Sequence, residues 1–241
     1  MRLKVIRGSA RDFSPPSPEQ AAQRKRHWQQ FASRGTDIEE VRPSRGVESI
    51  ECIYDAEMAA PFILEQVTRA EDERFDGVIL SCMGDPALQA ARQIARIPII
   101  GAGIACYITA ILLGSRFSII TPCLEGASMY ENNLLIYGLH GHLASIRGLG
   151  SSVVDLRDDV GRLRQLMLDE GQKAVTKDGA DVIIPGCSRI FGMSHDLSQE
   201  LGVPVLDPRA TVVRVAEMVV DLSLTHSKVL YPCPPTKRRE I

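Results

Sequence analysis

The sequence predicts an α/β protein of two similar lobes, each built on a mostly parallel sheet, related by a pseudo-two-fold and with the active site between them. Three observations carry this. Short runs rich in Val, Ile and Leu alternate with longer helical patterns, as successive β-α-β units do. One such unit occurs twice. Asp76-Gly77-Val78-Ile79-Leu80-Ser81-Cys82, a helical stretch and Ile97-Pro98-Ile99-Ile100 are matched by Asp181-Val182-Ile183-Ile184-Pro185-Gly186-Cys187, a helical stretch and Val203-Pro204-Val205-Leu206. The cysteines lie 105 positions apart and the prolines 106, so the match holds through a whole unit. In both copies a cysteine follows the apolar run, which places two thiols at the strand ends where open α/β sheets bind their ligands.

In chain order, Leu3–Ile6 is the first apolar run and the first expected strand. Ser14-Pro15-Pro16-Ser17-Pro18 is too rich in proline to be helical and reads as a loop. There follow helix Pro18–Ser33, strand Ile38–Val41, helix Ala56–Ala70, strand Gly77–Ser81, helix Pro86–Ala95 and strand Ile97–Ile100. Helix Ile104–Leu113 stops at Gly114, a C-terminal cap. Strand Phe117–Thr121, helix Gly126–Tyr137 and strand Leu143–Ile146 come next. Helix Val160–Lys177 sets Leu163, Leu166, Met167, Ala174 and Val175 near one face, an amphipathic surface pattern. Strand Val182–Pro185, helix Ser194–Leu201 closed by Gly202, strand Val203–Leu206 and helix Thr211–Leu224 complete the series. The repeat assigns residues 1–105 plus 209–225 to the first lobe and 106–208 to the second. Residues 226–241, with three prolines and Lys237-Arg238-Arg239, read as a mobile tail.

Composition bounds the function. The 241 residues are 44% hydrophobic and 24% charged, ordinary globular values with ample core. A net charge of −2 argues against nucleic acid and acidic membrane surfaces as partners and leaves a small molecule. No run reaches the roughly 18 apolar residues of a spanning helix, and Met1-Arg2-Leu3-Lys4-Val5-Ile6 lacks the apolar core of a signal peptide. Six cysteines without a Cys-x-x-Cys pair indicate a reduced, cytoplasmic protein rather than a zinc or thioredoxin-type site.

Cys82 and Cys187 stand out among the six. A thiol between a strand and a helix is expected to meet the helix's positive end, which favours thiolate and makes a base usable near neutral pH. Gly84 and Gly186 would let the backbone approach a ligand, their N–H groups binding a carboxylate or enolate oxygen. Ser81, Asp85 and Ser188 add polar groups to the same surroundings. Cys52, Cys106, Cys123 and Cys233 have no such setting and read as packing residues. Other constellations carry less. His140-x-His142 fits a solvated strand start better than a metal pair, and His195 sits in a first helical turn. Gly101-x-Gly103 lacks the third glycine and acidic partner of a dinucleotide fingerprint. There is no Gly-Lys-Ser/Thr, no Gly-x-Ser-x-Gly and no lysine in a polar, glycine-flanked setting. The expectation is a site with no metal and no organic cofactor.

The run Ser81-Cys82-Met83-Gly84-Asp85-Pro86-Ala87-Leu88 with Ala90-Ala91-Arg92 resembles the first cysteine segment of the hydantoin and allantoin racemases, within the aspartate/glutamate/hydantoin racemase superfamily. Ser49-Ile50-Glu51 with Tyr54-Asp55 and Ala59-Ala60-Pro61, Leu113 to Ile119, and Pro185-Gly186-Cys187 resemble the same family, over roughly residues 40–225. The resemblance implies flavodoxin-like lobes, a homo-oligomer and a cofactor-independent two-base mechanism, with Cys82 and Cys187 as the paired catalytic cysteines. Two departures bear on the substrate. The family's usual Asn-Pro-Asn-Thr after the first strand is here Arg7-Gly8-Ser9-Ala10, and the small pair after the second cysteine is replaced by Ser188-Arg189-Ile190-Phe191. Ser9, in the altered loop, and Thr121, at its strand end, join Ser81, Gly84, Asp85, Gly186 and Ser188 as expected substrate-binding residues. Arg7 and Arg189 are candidates for holding an anionic group, although a solvated arginine is the commoner role. The function expected is a racemase of a carbon acid alpha to a carbonyl, a 5-substituted hydantoin or allantoin-like ureide. The alternatives are a decarboxylase or cis–trans isomerase of the superfamily relying on Cys187, an Asp/Glu racemase, or a non-catalytic ligand-binding relative.

Overall fold

Two parallel sheets organise the chain in the computed structural model, which describes residues 1–10, 17–156 and 158–238. The first runs β2-β1-β3-β4, formed by β1 (Arg2–Ile6), β2 (Asp37–Val41), β3 (Gly77–Leu80) and β4 (Ile99–Gly101). The second runs β6-β5-β7, formed by β5 (Phe117–Thr121), β6 (Leu143–Gly148) and β7 (Val182–Pro185). Every pairing is parallel. Setting β1 beside β5, β2 beside β6 and β3 beside β7, the two orders coincide, and both follow the flavodoxin-like arrangement. β3, β5 and β7 are buried along their whole length, which is why they read as unbroken apolar runs rather than alternating ones.

The strand expected at Val203–Leu206 is reduced to a single bridge between Ile183 and Val205. Ile183 N donates to Pro204 O at 2.9 Å and Leu206 N to Ile183 O at 3.0 Å, and the ladder goes no further. Proline at 204 has no N–H with which to extend it.

The helices are α1 (Pro18–Gln29), α2 (Ile53–Asp72), α3 (Leu88–Ile94), α4 (Ala102–Leu113), α5 (Ala127–Tyr137), α6 (Val160–Asp178), α7 (Ser194–Leu201) and α8 (Pro208–Asp221). α8 starts three residues before the expected Thr211. Asp207 caps it by accepting from Arg209 N and Ala210 N at 3.0 and 3.1 Å, and Pro208 pre-sets its first turn. The expected loop at Ser14–Pro18 lies outside the described residues from 14 to 16.

The lobes share their core. α4 packs on both β4 and β7, and Tyr107 of α4 stacks on Phe117 of β5 with centroids 5.7 Å apart. One hydrophobic cluster therefore joins Val5, Ile79 and Ile99 of the first sheet to Ile119, Val182 and Ile184 of the second. A separate cluster lies on the second sheet's other face, where Leu163 and Met167 of α6 meet Ile120, Ile183 and Leu197. α8 returns to the first lobe against β3 and β4. A division between residues 105 and 106 thus falls inside α4, a helix both sheets use. Residues 226–231, expected in a mobile tail, are docked on the first lobe. Lys228 Nζ donates to the carbonyls of Arg92, Gln93 and Ala95 at the end of α3 (2.9, 3.2 and 2.6 Å), and Arg92 Nη1 to Tyr231 Oη at 3.1 Å. Among the described residues no helix is long and apolar enough to cross a membrane.

Candidate active site

Four strand ends converge on one cleft. The loop after β1 brings Arg7, Gly8 and Ser9, and the loop after β3 brings Ser81, Cys82 and Met83. From the second sheet, the end of β5 and its loop bring Thr121, Pro122 and Cys123, and the loop after β7 brings Gly186, Cys187 and Ser188. Ile50, Glu51, Val153 and Tyr130 close the sides. The cleft holds about 540 Å³ of empty space, its open mouth included. Close packing sets its floor. A Cβ on Gly8 would stand 2.8 Å from Ile50 Cδ1 and 3.2 Å from Cys82 Cβ, so a larger residue would crowd the loop against both.

The thiols differ from expectation in their electrostatics. α3 begins six residues after Cys82 and α7 seven after Cys187, so neither thiol sits at the start of the helix that follows it. Burial dominates instead. It pushes Cys82 up to about 12 from an ordinary 9.0, opposed by a hydrogen bond from the Gly84 N–H, while the charge of Cys187 raises it further. Cys187 is raised as well, again chiefly by burial. There the opposing groups are the Arg189 N–H and the positive charges of Arg189, Arg7 and Arg209. Each residue keeps some exposure to the cleft. Because one thiolate makes the other harder to form, the pair resists ionising both thiols at once.

The structure gathers Ser9, Ser81, Cys82, Thr121, Gly186, Cys187 and Ser188 around the cleft and leaves Gly84 and Asp85 outside it. Gly84 packs on α5, where a Cβ would lie 2.3 Å from Met129 Sδ, and its carbonyl accepts from Asn133 Nδ2 at 2.7 Å. Asp85 is buried against the start of α4. Its carboxylate accepts from Gly103 N (2.8 Å), Ile104 N (2.7 Å) and the Tyr137 hydroxyl (2.9 Å). It therefore anchors the turn carrying Cys82 instead of reaching substrate. The same contacts account for Gly103 of the Gly101-x-Gly103 motif, where a Cβ would stand 2.4 Å from Met83 O. Gly186 lines the cleft, but its N–H is spent on Ile120 O at 2.7 Å and cannot serve an oxyanion. Its carbonyl accepts from the Tyr130 hydroxyl at 2.7 Å, and Tyr130 stands 3.1 Å from Thr121 Oγ1.

Sequence reasoning passed over Tyr130, Cys123 and Glu51. Cys123, read as a packing residue, faces the cleft 3.8 Å from Glu51 Oε2. Glu51 lay within a family-like stretch, the one available signal. His142 is held by Ser115 O at 2.8 Å and His195 lies near Gln199, both away from the cleft. Among the described residues no group of three or more His, Cys, Asp or Glu could hold a metal ion.

Two parallel sheets with corresponding strand ends opening on a shared pocket define a small-molecule enzyme of the α/β class. The sequence pattern of the Asp/Glu/hydantoin racemase family matches residues 20–216. A hydantoin racemase of Pseudomonas sp. (strain NS671) is 32% identical over 98% of this chain and 93% of its own, and one from Paenarthrobacter aurescens is 31% identical over 99% of both. The solved allantoin racemase of Pseudomonas fluorescens superposes over 100% of both chains with a TM-score of 0.90 at 28% identity. This chain belongs to the Asp/Glu/hydantoin racemase family, and as such it is a racemase, an isomerase.

Proposed function

We propose that the protein racemises a 5-substituted hydantoin or related ureide by proton transfer between Cys82 and Cys187, without a cofactor. The observation supporting this most directly is that the two thiols stand two residues past β3 and β7, corresponding strands of the two sheets, and line one cleft. The thiolate on one side removes the proton from the carbon alpha to the carbonyl, forming S–H and an enolate. The thiol on the other side delivers its own proton to the opposite face and is left as the thiolate. A carbon flanked by a ring carbonyl and a ring nitrogen has a more acidic hydrogen than a free amino acid, so a thiolate base suffices. The hydroxyls of Ser9, Ser81 and Ser188 are the polar groups on hand for the ring and its developing negative charge. The names of the hydantoin and allantoin racemases support the substrate class. The test is polarimetry of one enantiomer of a 5-substituted hydantoin. The rotation should decay to zero, and a steady rotation with hydantoins and allantoin alike would overturn the reading.

A pH dependence follows from the raised thiols. Below the pair's first ionisation the reactive thiolate fraction grows tenfold per pH unit. With both thiols pushed up by burial, kcat/KM should climb with a slope near one from pH 6 to 8 without levelling. A plateau beginning near pH 7 would show that some other group is the base.

A further inference from the structure

Arg7 and Glu51 are the charged side chains among the described residues lining the cleft, and they are not equally engaged. Glu51 is bonded on both sides. Its Oε1 accepts from the Ser49 hydroxyl at 2.7 Å and Val153 N at 3.1 Å, and its Oε2 faces Cys123. The Arg7 guanidinium has five N–H donors, and its closest charged neighbour is Glu40 Oε1 at 3.8 Å, beyond hydrogen-bond reach. Glu40 is itself shared. Its Oε2 accepts from Trp28 Nε1 at 2.5 Å, and Arg42 Nε stands 3.6 Å from Oε1. Glu40 is thus no dedicated counter-ion for Arg7, whose guanidinium makes no hydrogen bond among the described residues. Behind the cleft wall Arg209 lies over the Phe191 ring (3.7 Å to the centroid) and the Trp28 ring (4.8 Å), with Nε donating to Ser188 O at 2.8 Å. The side chain of Arg7 is 13% exposed, and the residue lines the cleft. A hydantoin ring is neutral before proton removal and gives a guanidinium no ionic partner in the ground state.

We propose that the substrate carries a carboxylate in addition to its acidic C–H, and that Arg7 binds it: a hydantoin with a carboxyalkyl substituent on the reacting carbon, the class derived from acidic amino acids. This rests on the racemase reading of the cleft and narrows it. A charge-assisted, bidentate pair with a planar guanidinium is the strongest recognition available here. The loop bearing Arg7 is also where the chain departs from its family's polar motif.

Two substrates of equal shape test it, 5-(2-carboxyethyl)hydantoin and 5-(2-carbamoylethyl)hydantoin, which differ in one charge. In wild type kcat/KM for the acid should exceed that for the amide by roughly 10- to 100-fold. In Arg7→Gln the ratio should fall to near one, and in Arg7→Lys it should stay intermediate. Were Arg7 only a support for the thiolates, Arg7→Gln would slow both substrates equally and leave the ratio unchanged, which overturns the proposal. Equal or better turnover of the amide by wild type also overturns it while leaving the racemase reading intact. Calorimetric binding of the same pair reads charge preference without turnover. Tighter binding of the acid, lost in Arg7→Gln, supports the anion site even if neither compound is racemised, and that result would count against the racemase reading alone.

Discussion

Replacing Cys82 or Cys187 with Ser should lower racemisation by roughly 10²- to 10⁴-fold, the loss expected when a principal acid–base group is removed. A hydroxyl stays protonated where a thiol can still ionise, so each variant loses the base on one side of the cleft. Exchange of the alpha hydrogen with solvent needs one working base only. Cys82→Ser should therefore retain deuterium incorporation into one enantiomer, and Cys187→Ser into the other, as read by proton NMR in deuterated water. The variants should also sharpen each other's chemistry. With Cys187 gone, its charge no longer opposes ionisation of Cys82, so the remaining thiol should titrate lower than in the pair. If Cys82→Ser racemises normally while Cys187→Ser is inactive, the site has a single base and the decarboxylase or isomerase reading takes precedence.

The largest effect on stability is expected at Asp85. Asp85→Ala removes the acceptor for three donors, one bond buried and two partly buried. An unsatisfied buried donor costs about 1–3 kcal/mol, so the loss for the set should reach about 3–5 kcal/mol, measured by urea unfolding with the slope unchanged. Asp85→Asn keeps one acceptor and should fall between. Burial raises Asp85 to about 6 from an ordinary 3.8, against the pull of Gly103, Ile104 and Tyr137. Since the folded value lies above the unfolded one, this group's contribution is full below about pH 4 and is lost as pH rises through 6. The stability gap between wild type and Asp85→Asn should narrow over that interval. A gap of under 1 kcal/mol for Asp85→Ala would show that water replaces the carboxylate and that the Cys82 turn is held by other contacts.

Most of the fold was legible because β3, β5 and β7 are buried on both faces, and such strands announce themselves as short apolar runs between helical patterns. The duplicated unit located both thiols for the same reason. What could not be read was local geometry in the two loops that follow them. Asp85 adopts φ 47° and Ala87 φ 60°, unusual for side-chain-bearing residues, and this turn delays α3 and points Asp85 away from the cleft. Nothing in the string Cys-Met-Gly-Asp-Pro marks that inversion, so a carboxylate beside a thiol looked like a ligand group. Gly186 misled likewise, because whether an N–H is free depends on a neighbouring strand, here Ile120. Tyr130 and Cys123 reach the cleft by tertiary packing alone, from a helix face and a loop with no patterned signal.

The shared core beneath α4 fixes the gauge of the cleft. Tyr107, Phe117 and the residues around them tie the floor of one sheet to the floor of the other, so the lobes cannot swing apart like a clamshell without tearing a close-packed interior. Cys82 and Cys187 are therefore carried by loops on one joined core rather than by two bodies hinged about the cleft. On the two-thiol proposal, exchanging loops at the rim changes which ring is accepted and leaves the span across which the proton travels as it is.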